Sequence, residues 1–291
     1  MFGFEPNEFL EAVLLLSLGK SPKIEFFQAV SGGNINNAAK LATSEGVFFL
    51  KWNENAPDDA FELEAKGLEI LQKKGMDTPY VLAYGKRQGK NFLLLEYHQG
   101  LEKPKYWAKL GRNLARMHQE KQDFFGLEYD NYLGTLTQTN QPEQDGIKFF
   151  IEKRLKVQAG LAFYNGLIEQ HTLDSLQKLY EKLPDILPQE LPALLHGDLW
   201  SGNVIVSNAG LPMLIDPAIY YGLREAEIAF TKLFGSFDED FYESYQYYYP
   251  LLPDFEKRVP IYNLYPLLVH LNLFGLSYLP AIQRTIKQFL A

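Results

Sequence analysis

The two hydrophobic periods in this sequence stay apart. Alternating runs rich in β-branched and aromatic residues fill the first hundred residues, and three- and four-residue spacings fill most of the remainder. A period of two suits a pleated strand and a period near 3.6 suits a helix, so a sheet-rich part followed by a helix-rich part is expected. IEFFQAV (24–30) opens the first part, and AAKLATS and VFFLKW (47–52) read as a hairpin across the turn SEG. VLAYG (81–85) and NFLLLEY (91–97) read as a second hairpin across KRQGK. Between the hairpins, Pro57 and Asp58 start a helix with Asp58 or Asp59 as cap, Gly75 as stop and an apolar stripe at Phe61, Leu68 and Leu71. The polar HQGLEKPK, with its Gly and Pro, marks a boundary between residues 1–98 and 99–291. Beyond it, Trp107, Leu110, Leu114 and Met117 mark a helix, and DGIKFFIEKRLKVQAGLA and TLDSLQKLYEKL read as helical too. Two packed lobes with a cleft between them are the expected α+β architecture.

Composition removes several classes of function. With 46% hydrophobic and 22% charged residues the chain is globular rather than disordered. A net charge of −8 argues against nucleic acid as a partner, since phosphate backbones select basic surfaces. The sequence holds no cysteine, which excludes disulfides, thiolate metal sites and a cysteine nucleophile, and is compatible with a reducing cytoplasm. The N-terminal MFGFEPNEFLEAVLLLSLGK carries acidic first charges, unlike a secretion signal, and VLLLSL is far too short to span a bilayer. It reads as an amphipathic helix packed on the body of a soluble protein, with Phe9, Val13 and Leu16 on one stripe.

The chemistry gathers in LHGDLWSGN (195–203) and in the residues after it: VIVS, the turn NAG, and LPMLIDPA. This is a short hairpin with Asp198 before it and Asp216 after it, so pairing of its strands can bring Asp198, Asn203 and Asp216 together. Two carboxylates and a carboxamide make a hard-oxygen site suited to Mg2+, whereas zinc lacks a second His or Cys at ligand spacing. Phosphoryl transfer asks for such a metal site, a cation on the phosphates and an acceptor for the hydroxyl proton. Asp198 can be that acceptor, and Asn203 and Asp216 can hold the metal. Lys51 can meet the phosphates: it shares a strand face with Val47 and Phe49, while Glu64 lies on the stripe of Phe61 and Leu68. A buried Lys51–Glu64 pair would satisfy both, although each head group could instead reach solvent from an element edge. SGGNIN, with Gly32, Gly33 and Asn34, can fold over phosphates through backbone N–H groups; no Gly-Lys-Ser/Thr follows, so it is not a Walker A loop. His196 reads as a structural residue bonding the loop backbone. Trp200 divides between core packing and stacking on a substrate ring. Arg224 is either a surface cation or, with Tyr220 and Tyr221, part of a segment that braces the Asp216 loop and lines a cleft wall.

HGDLWSGN, LIDPAIYYGLREAEIAFTKLFGSF and the N-terminal SGGNIN, VFFLKWN and FELEA together resemble the fructosamine kinase (ketosamine kinase) family, from about residue 20 onward. The resemblance implies a protein-kinase-like two-lobe fold, β-rich then helical, that binds ATP and Mg2+ and phosphorylates the 3-hydroxyl of a ketoamine such as fructosamine or ribulosamine, on a free or protein-borne amine. The phosphorylated adduct is unstable and leaves the amine, which amounts to deglycation repair. It further implies Asp198 as base, Asn203 and Asp216 as metal ligands, Lys51 and Glu64 as the ATP-positioning pair, and Glu96, Tyr97 and His98 as the hinge that holds adenine. The sequence departs from the family at Asn34, where many relatives carry Cys, at Glu227 for a usual Asp, and at Ser236 for a common Gly. No disulfide-linked dimer is therefore expected. The competing functions are an aminoglycoside- or choline-kinase-like phosphotransferase acting on another small hydroxyl compound, and a nucleotide-binding pseudokinase that transfers nothing.

Overall fold

A computed structural model describes residues 8–30 and 35–290. The chain divides into two compact units, one of residues 1–103 with 205–216 and the other of 104–204 with 217–291. The first unit is thus not one run of chain: it takes in a hairpin that a single division at 98/99 would give to the second.

The chain opens with α1 (Glu8–Leu18) and three strands, β1 (Ile24–Ala29), β2 (Asn37–Thr43) and β3 (Gly46–Asn53). After α2 (Ala60–Lys73) come β4 (Val81–Arg87) and β5 (Lys90–Glu96). All five strands form one antiparallel sheet in the order β1-β2-β3-β5-β4. The pleat separates its side chains. Leu41, Phe48, Leu50, Phe92 and Leu94 pack with Phe9, Leu10, Val13 and Leu14 of α1, while Leu93 and Leu95 pack with Phe61, Ala65 and Leu68 of α2. Leu16 is not on the buried stripe of α1: it is 45% exposed, because the sheet takes the pairs 9/10 and 13/14 instead. The β4–β5 turn has positive φ at Gln88 and Gly89, the backbone that fits a two-residue hairpin. Helix α2 stops where Gly75 takes φ +87 and the Met76 amide returns to the Leu71 carbonyl at 3.0 Å.

The second unit begins with α3 (Tyr106–Met117), the small hairpin β6 (Asn131–Leu133) and β7 (Leu136–Gln138), and α4 (Gly146–Phe149), capped by the Asp145 carboxylate. A π-helical stretch at Phe150–Leu155 joins α4 to α5 (Lys156–Tyr164), where a continuous α-helix was expected. It turns Arg154 inward, stacked 3.9 Å over the Tyr220 ring and donating to the Thr139 carbonyl and Asn140 Oδ1. Then follow α6 (Gln170–Ile186), β8 (Ala193–Leu195), the paired β9 (Val204–Val206) and β10 (Pro212–Leu214), and β11 (Tyr220–Gly222), which pairs with β8. The chain closes with α7 (Arg224–Phe230), α8 (Glu239–Tyr248), α9 (Phe255–Tyr262), α10 (Leu264–Phe274) and α11 (Leu279–Leu290). No helix among the described residues is long and apolar enough to cross a membrane.

Candidate active site

In the first unit, Lys51 shares its β3 face with Val47 and Phe49, and Glu64 lies on the α2 stripe of Phe61, Ala65 and Leu68. Lys51 Nζ donates to Glu64 Oε1 at 2.8 Å and Oε2 at 2.9 Å, so the buried pair is formed. It has a third member that the sequence did not point to: Asp216 Oδ1 accepts from the same ammonium at 2.8 Å. The hairpin β9–β10 brings Asp216 there, and the first unit holds that hairpin by its own backbone, as in the Leu214 amide bonded to the Asp77 carbonyl at 2.8 Å. Asp216 sits at φ +56, a left-handed conformation uncommon for a residue with a side chain. Burial alone would lower the Lys51 ammonium; Asp216 and Glu64 outweigh it and hold it above its ordinary value. Burial pushes the Glu64 carboxyl up to about 7, Lys51 opposing and Asp216 adding to the rise. The Asp216 side chain is 42% exposed against 6% for Lys51, so the carboxylate is the member open to a ligand.

In the second unit, β8 ends in a loop that runs His196, Gly197, Asp198. Gly197 takes φ +85, and a Cβ there would lie 2.0 Å from the Ala218 carbonyl oxygen, so only glycine passes. His196 is buried and its Nδ1 accepts from the Asp198 amide at 3.2 Å, so it bonds the loop backbone. Asn203 reaches back five residues: its Nδ2 donates to the Asp198 carbonyl at 2.7 Å and to Asp198 Oδ2 at 2.9 Å. Its Oδ1 accepts nothing from the described residues, and neither does Asp216 Oδ2. Those are hard oxygens, one carboxylate and one amide. No group of three or more His, Cys, Asp or Glu able to hold a metal occurs among the described residues. Each of those two oxygens is of the kind Mg2+ takes, since that ion binds through one or two protein oxygens and completes its shell with phosphate and water.

The loop is anchored by a residue whose role the sequence did not reveal. Glu227, on α7, accepts from the Gly197 amide at 2.8 Å through Oε1, and its Oε2 lies 3.0 Å from His118 Nε2. His118 Nδ1 meets the Tyr245 hydroxyl at 2.8 Å. Burial would raise the Glu227 carboxyl, but His118, His196 and the Gly197 amide outweigh it and hold it below the usual carboxylate range. The family departure at 227 was visible; nothing in the local pattern pointed to His118.

A recess of about 30 Å3 opens beside Asp198, lined by Gly197, Tyr220, Phe230, Tyr265 and His270 among others. That is room for one or two waters rather than a sugar ring. Beside it lies an aromatic group centred on Phe234, whose ring is 6.4 Å from Trp200, 4.5 Å from His270 and 6.2 Å from Tyr278. Trp200 is half-buried and leans over Gly202, where a Cβ would meet its ring at 2.3 Å. Tyr220 is buried with its ring on the Phe149 side of the recess. Arg224 is not a surface cation. It is 3% exposed, donates to Glu190 Oε1 and to the Tyr249 and Pro250 carbonyls, and stacks on Tyr249, so its donors are spent inside the unit and none is left for a substrate. Gly32, Gly33 and Asn34 lie outside the described residues. Glu96, Tyr97 and His98 end β5 and begin the segment that leaves the first unit.

A five-stranded antiparallel sheet carrying a Lys–Glu pair, followed in sequence by a helical unit with an HGD loop, defines the class of protein-kinase-like phosphotransferases. The aminoglycoside phosphotransferase APH(4)-Ia, solved with ADP and hygromycin B, shares the fold at 14% identity and a TM-score of 0.65, over 97% of this chain and 99% of that one. Within the class, the family model for fructosamine kinase matches residues 8–291, and the chain belongs to that family. A solved candidate fructosamine-3-kinase from Haemophilus somnus 129PT superposes with a TM-score of 0.86 at 30% identity, covering 98% of this chain and 97% of that one. Among curated relatives, the "Probable ketoamine kinase" of Lactiplantibacillus plantarum is 38% identical over 276 residues, 91% of this chain and 95% of that protein. The chloroplastic protein-ribulosamine 3-kinase of Arabidopsis thaliana is 35% identical over 285 residues, 95% of this chain and 86% of that protein.

Proposed function

We propose that the protein transfers the terminal phosphoryl group of ATP to a sugar hydroxyl, the 3-hydroxyl, of a ketoamine carried by a small amine or a protein. The observation that carries this reading is the state of Lys51: a buried ammonium held by Glu64 and Asp216, with Asp216 partly open, is a cation kept ready for phosphate. Relatives named for ketoamine and ribulosamine substrates support the acceptor class. ADP bound in a fold neighbour supports the nucleotide. Both competing functions lose ground here, since Lys51, Asp198, Asn203 and Asp216 are all present and the curated relatives at 35–38% identity carry ketoamine and ribulosamine kinase names, against 14% identity for the aminoglycoside phosphotransferase.

In this reading Lys51 neutralises the α- and β-phosphate oxygens, and Glu64 fixes the ammonium so that no side-chain freedom is lost on binding. Asp216 and Asn203 are the residues that would serve Mg2+, and the chemistry such an ion would supply is neutralisation of charge on the phosphate oxygens. Asp198 orients the acceptor hydroxyl and takes its proton as the oxygen attacks phosphorus and the bond to the ADP oxygen breaks. Asn203 Nδ2, bonded to Asp198 Oδ2, fixes the orientation of that carboxylate. Trp200, Phe234 and His270 supply a face for the sugar outside the small recess. A cytoplasmic place of action fits a cysteine-free chain that consumes ATP.

The test is turnover of Mg–ATP with ribulosamine, fructosamine, choline and an aminoglycoside in turn. Turnover confined to ketoamines supports the reading; nucleotide binding with no turnover on any of them replaces it with a binding protein. Asp198→Ala is expected to cut kcat by on the order of a thousandfold while the Kd for ADP stays within about twofold, because the base meets the hydroxyl and not the nucleotide.

A further inference from the structure

The segment that leaves β5, residues 97–103, is strapped to the hairpin β9–β10 inside the first unit. The Gly100 amide donates to the Val206 carbonyl at 3.2 Å and the Lys103 amide to the Gly210 carbonyl at 3.1 Å. The approach is close enough that a Cβ on Gly100 would lie 1.9 Å from the Ser207 carbonyl oxygen. At the head of this strap stands one side chain, Asn208, in the turn of the hairpin. Its Oδ1 accepts from the Gln99 amide at 3.0 Å, its Nδ2 donates to the Tyr97 carbonyl at 3.4 Å, and its own amide donates to His98 Nδ1 at 3.3 Å. Three consecutive residues are therefore held by one asparagine. The amide of the middle one, His98, donates to no described residue. From the other side, Lys40 sits 4.5 Å over the Tyr97 ring and donates to Gln99 Oε1, which also accepts from the Tyr97 hydroxyl.

A carboxamide is the group for this task, because it offers a donor and an acceptor on one rigid plane and matches a peptide edge. By taking the Gln99 amide, it removes that donor from the set a ligand could use. It also fixes the peptide planes on either side of His98, which decides where that N–H points. We propose that Asn208 is a positioning residue for the nucleobase, aiming the His98 N–H as the donor that meets a ring nitrogen of adenine. The proposal rests on the kinase reading above and on the hinge that the resemblance implies at residues 96–98, and adds to them the side chain that holds the hinge in place. Asn208 touches neither the phosphates nor the acceptor in this scheme, so its contribution is confined to the base.

The test compares two ligands that differ by the nucleoside. Binding of Mg–ADP and of Mg–tripolyphosphate, which has no base, is titrated calorimetrically on the full chain and on Asn208→Ala. Asn208 is exposed, so the variant keeps the fold, and its unfolding midpoint checks this. The expected result is a loss of about tenfold in ADP affinity with tripolyphosphate affinity unchanged within about twofold, the scale of losing oriented hydrogen bonds at one edge. In turnover, KM for ATP rises in step while kcat at saturating ATP and KM for the ketoamine hold. Equal losses for both ligands, or no loss for ADP, overturn the assignment while leaving the kinase reading intact. A wild-type chain that binds tripolyphosphate as tightly as ADP overturns the base site itself, and one that binds neither overturns both readings.

Discussion

Glu227 carries more of the site than its position on a short helix suggests. One buried carboxylate joins the Gly197 amide to His118, and so fixes the turn on which Asp198 stands. Glu227→Gln keeps the shape but removes the charge, and near neutrality it is expected to cost about 2 kcal/mol of stability, the scale of a charged hydrogen bond made neutral in the interior. The sign with pH is fixed by the direction of the shift. The folded pKa lies below the ordinary 4.5, so the contribution is complete above that value and is lost as pH falls through the folded one. Urea unfolding near neutrality and again well below 4.5 should show the gap between wild type and variant closing; a gap that stays constant would mean the charge is not what matters. At this scale the sequence was half legible. Lys51 and Glu64 could be paired because each broke an apolar period in its own element. Asp216 as their third partner could not, since 165 residues separate it from Lys51 and no local period records such a contact. Arg224 deceived for a related reason: a cation at a helix start looks exposed until the acceptors at 190, 249 and 250 are seen around it.

Elements were legible wherever the signal was local. The turn at Gln88–Gly89 and the stop at Gly75 are decided by residues within a few positions of the event, whereas the cap expected from Asp58 or Asp59 is not made, since Asp59 takes the N-cap position of α2 without a side-chain cap hydrogen bond. What the sequence lacked was the identity of the partner element. The apolar stripe of α3 shows in its spacing, but Gly111 lies between the marked positions and breaks no pattern. A Cβ at Gly111 would meet the Phe241 carbonyl oxygen of α8 at 2.2 Å, so this glycine sets how closely the two helices pack. Gly111→Ala should therefore destabilise, by on the order of 1–3 kcal/mol, against the usual preference of a helix for alanine over glycine. Chemical denaturation measures it directly; a more stable variant would show that the helices separate at little cost. The π-helical stretch at 150–155 was likewise hidden, because one inserted residue per turn leaves the apolar spacing nearly unchanged over so short a run.

For the whole molecule, the consequence lies in the hairpin at 205–216, which belongs to the first unit although its sequence follows the loop of the second. Asp198 and Asn203 stay with the second unit and Asp216 goes with the first, so the chain passes from one to the other between its proposed catalytic and metal-holding residues. A ligand that binds the folded chain and not the unfolded one stabilises it by mass action. Saturation with Mg–ADP at about a hundred times its Kd is expected to add about 2.7 kcal/mol, read as a rise in the thermal midpoint. Chelation of the metal with EDTA should remove most of that rise. A midpoint indifferent to Mg–ADP would count against nucleotide binding, and a rise insensitive to EDTA against the metal.

By itself the sequence determined the strand-rich first part and the helix-rich remainder, the two hairpins of the sheet and the segment that carries Asp198, Asn203 and Asp216, and it offered the Lys51–Glu64 pair as one of two readings. Each of these follows from period, turn chemistry or the cost of burying a charge, and those forces act over a few residues or one element. Only the tertiary structure decided that Asp216 meets Lys51, that Glu227 and His118 hold the loop of Asp198, that Arg224 is spent inward, and that Asn208 grips the segment after β5. Those contacts join residues that chain separation leaves independent in sequence, and they form only when packing brings buried donors to acceptors that water no longer serves.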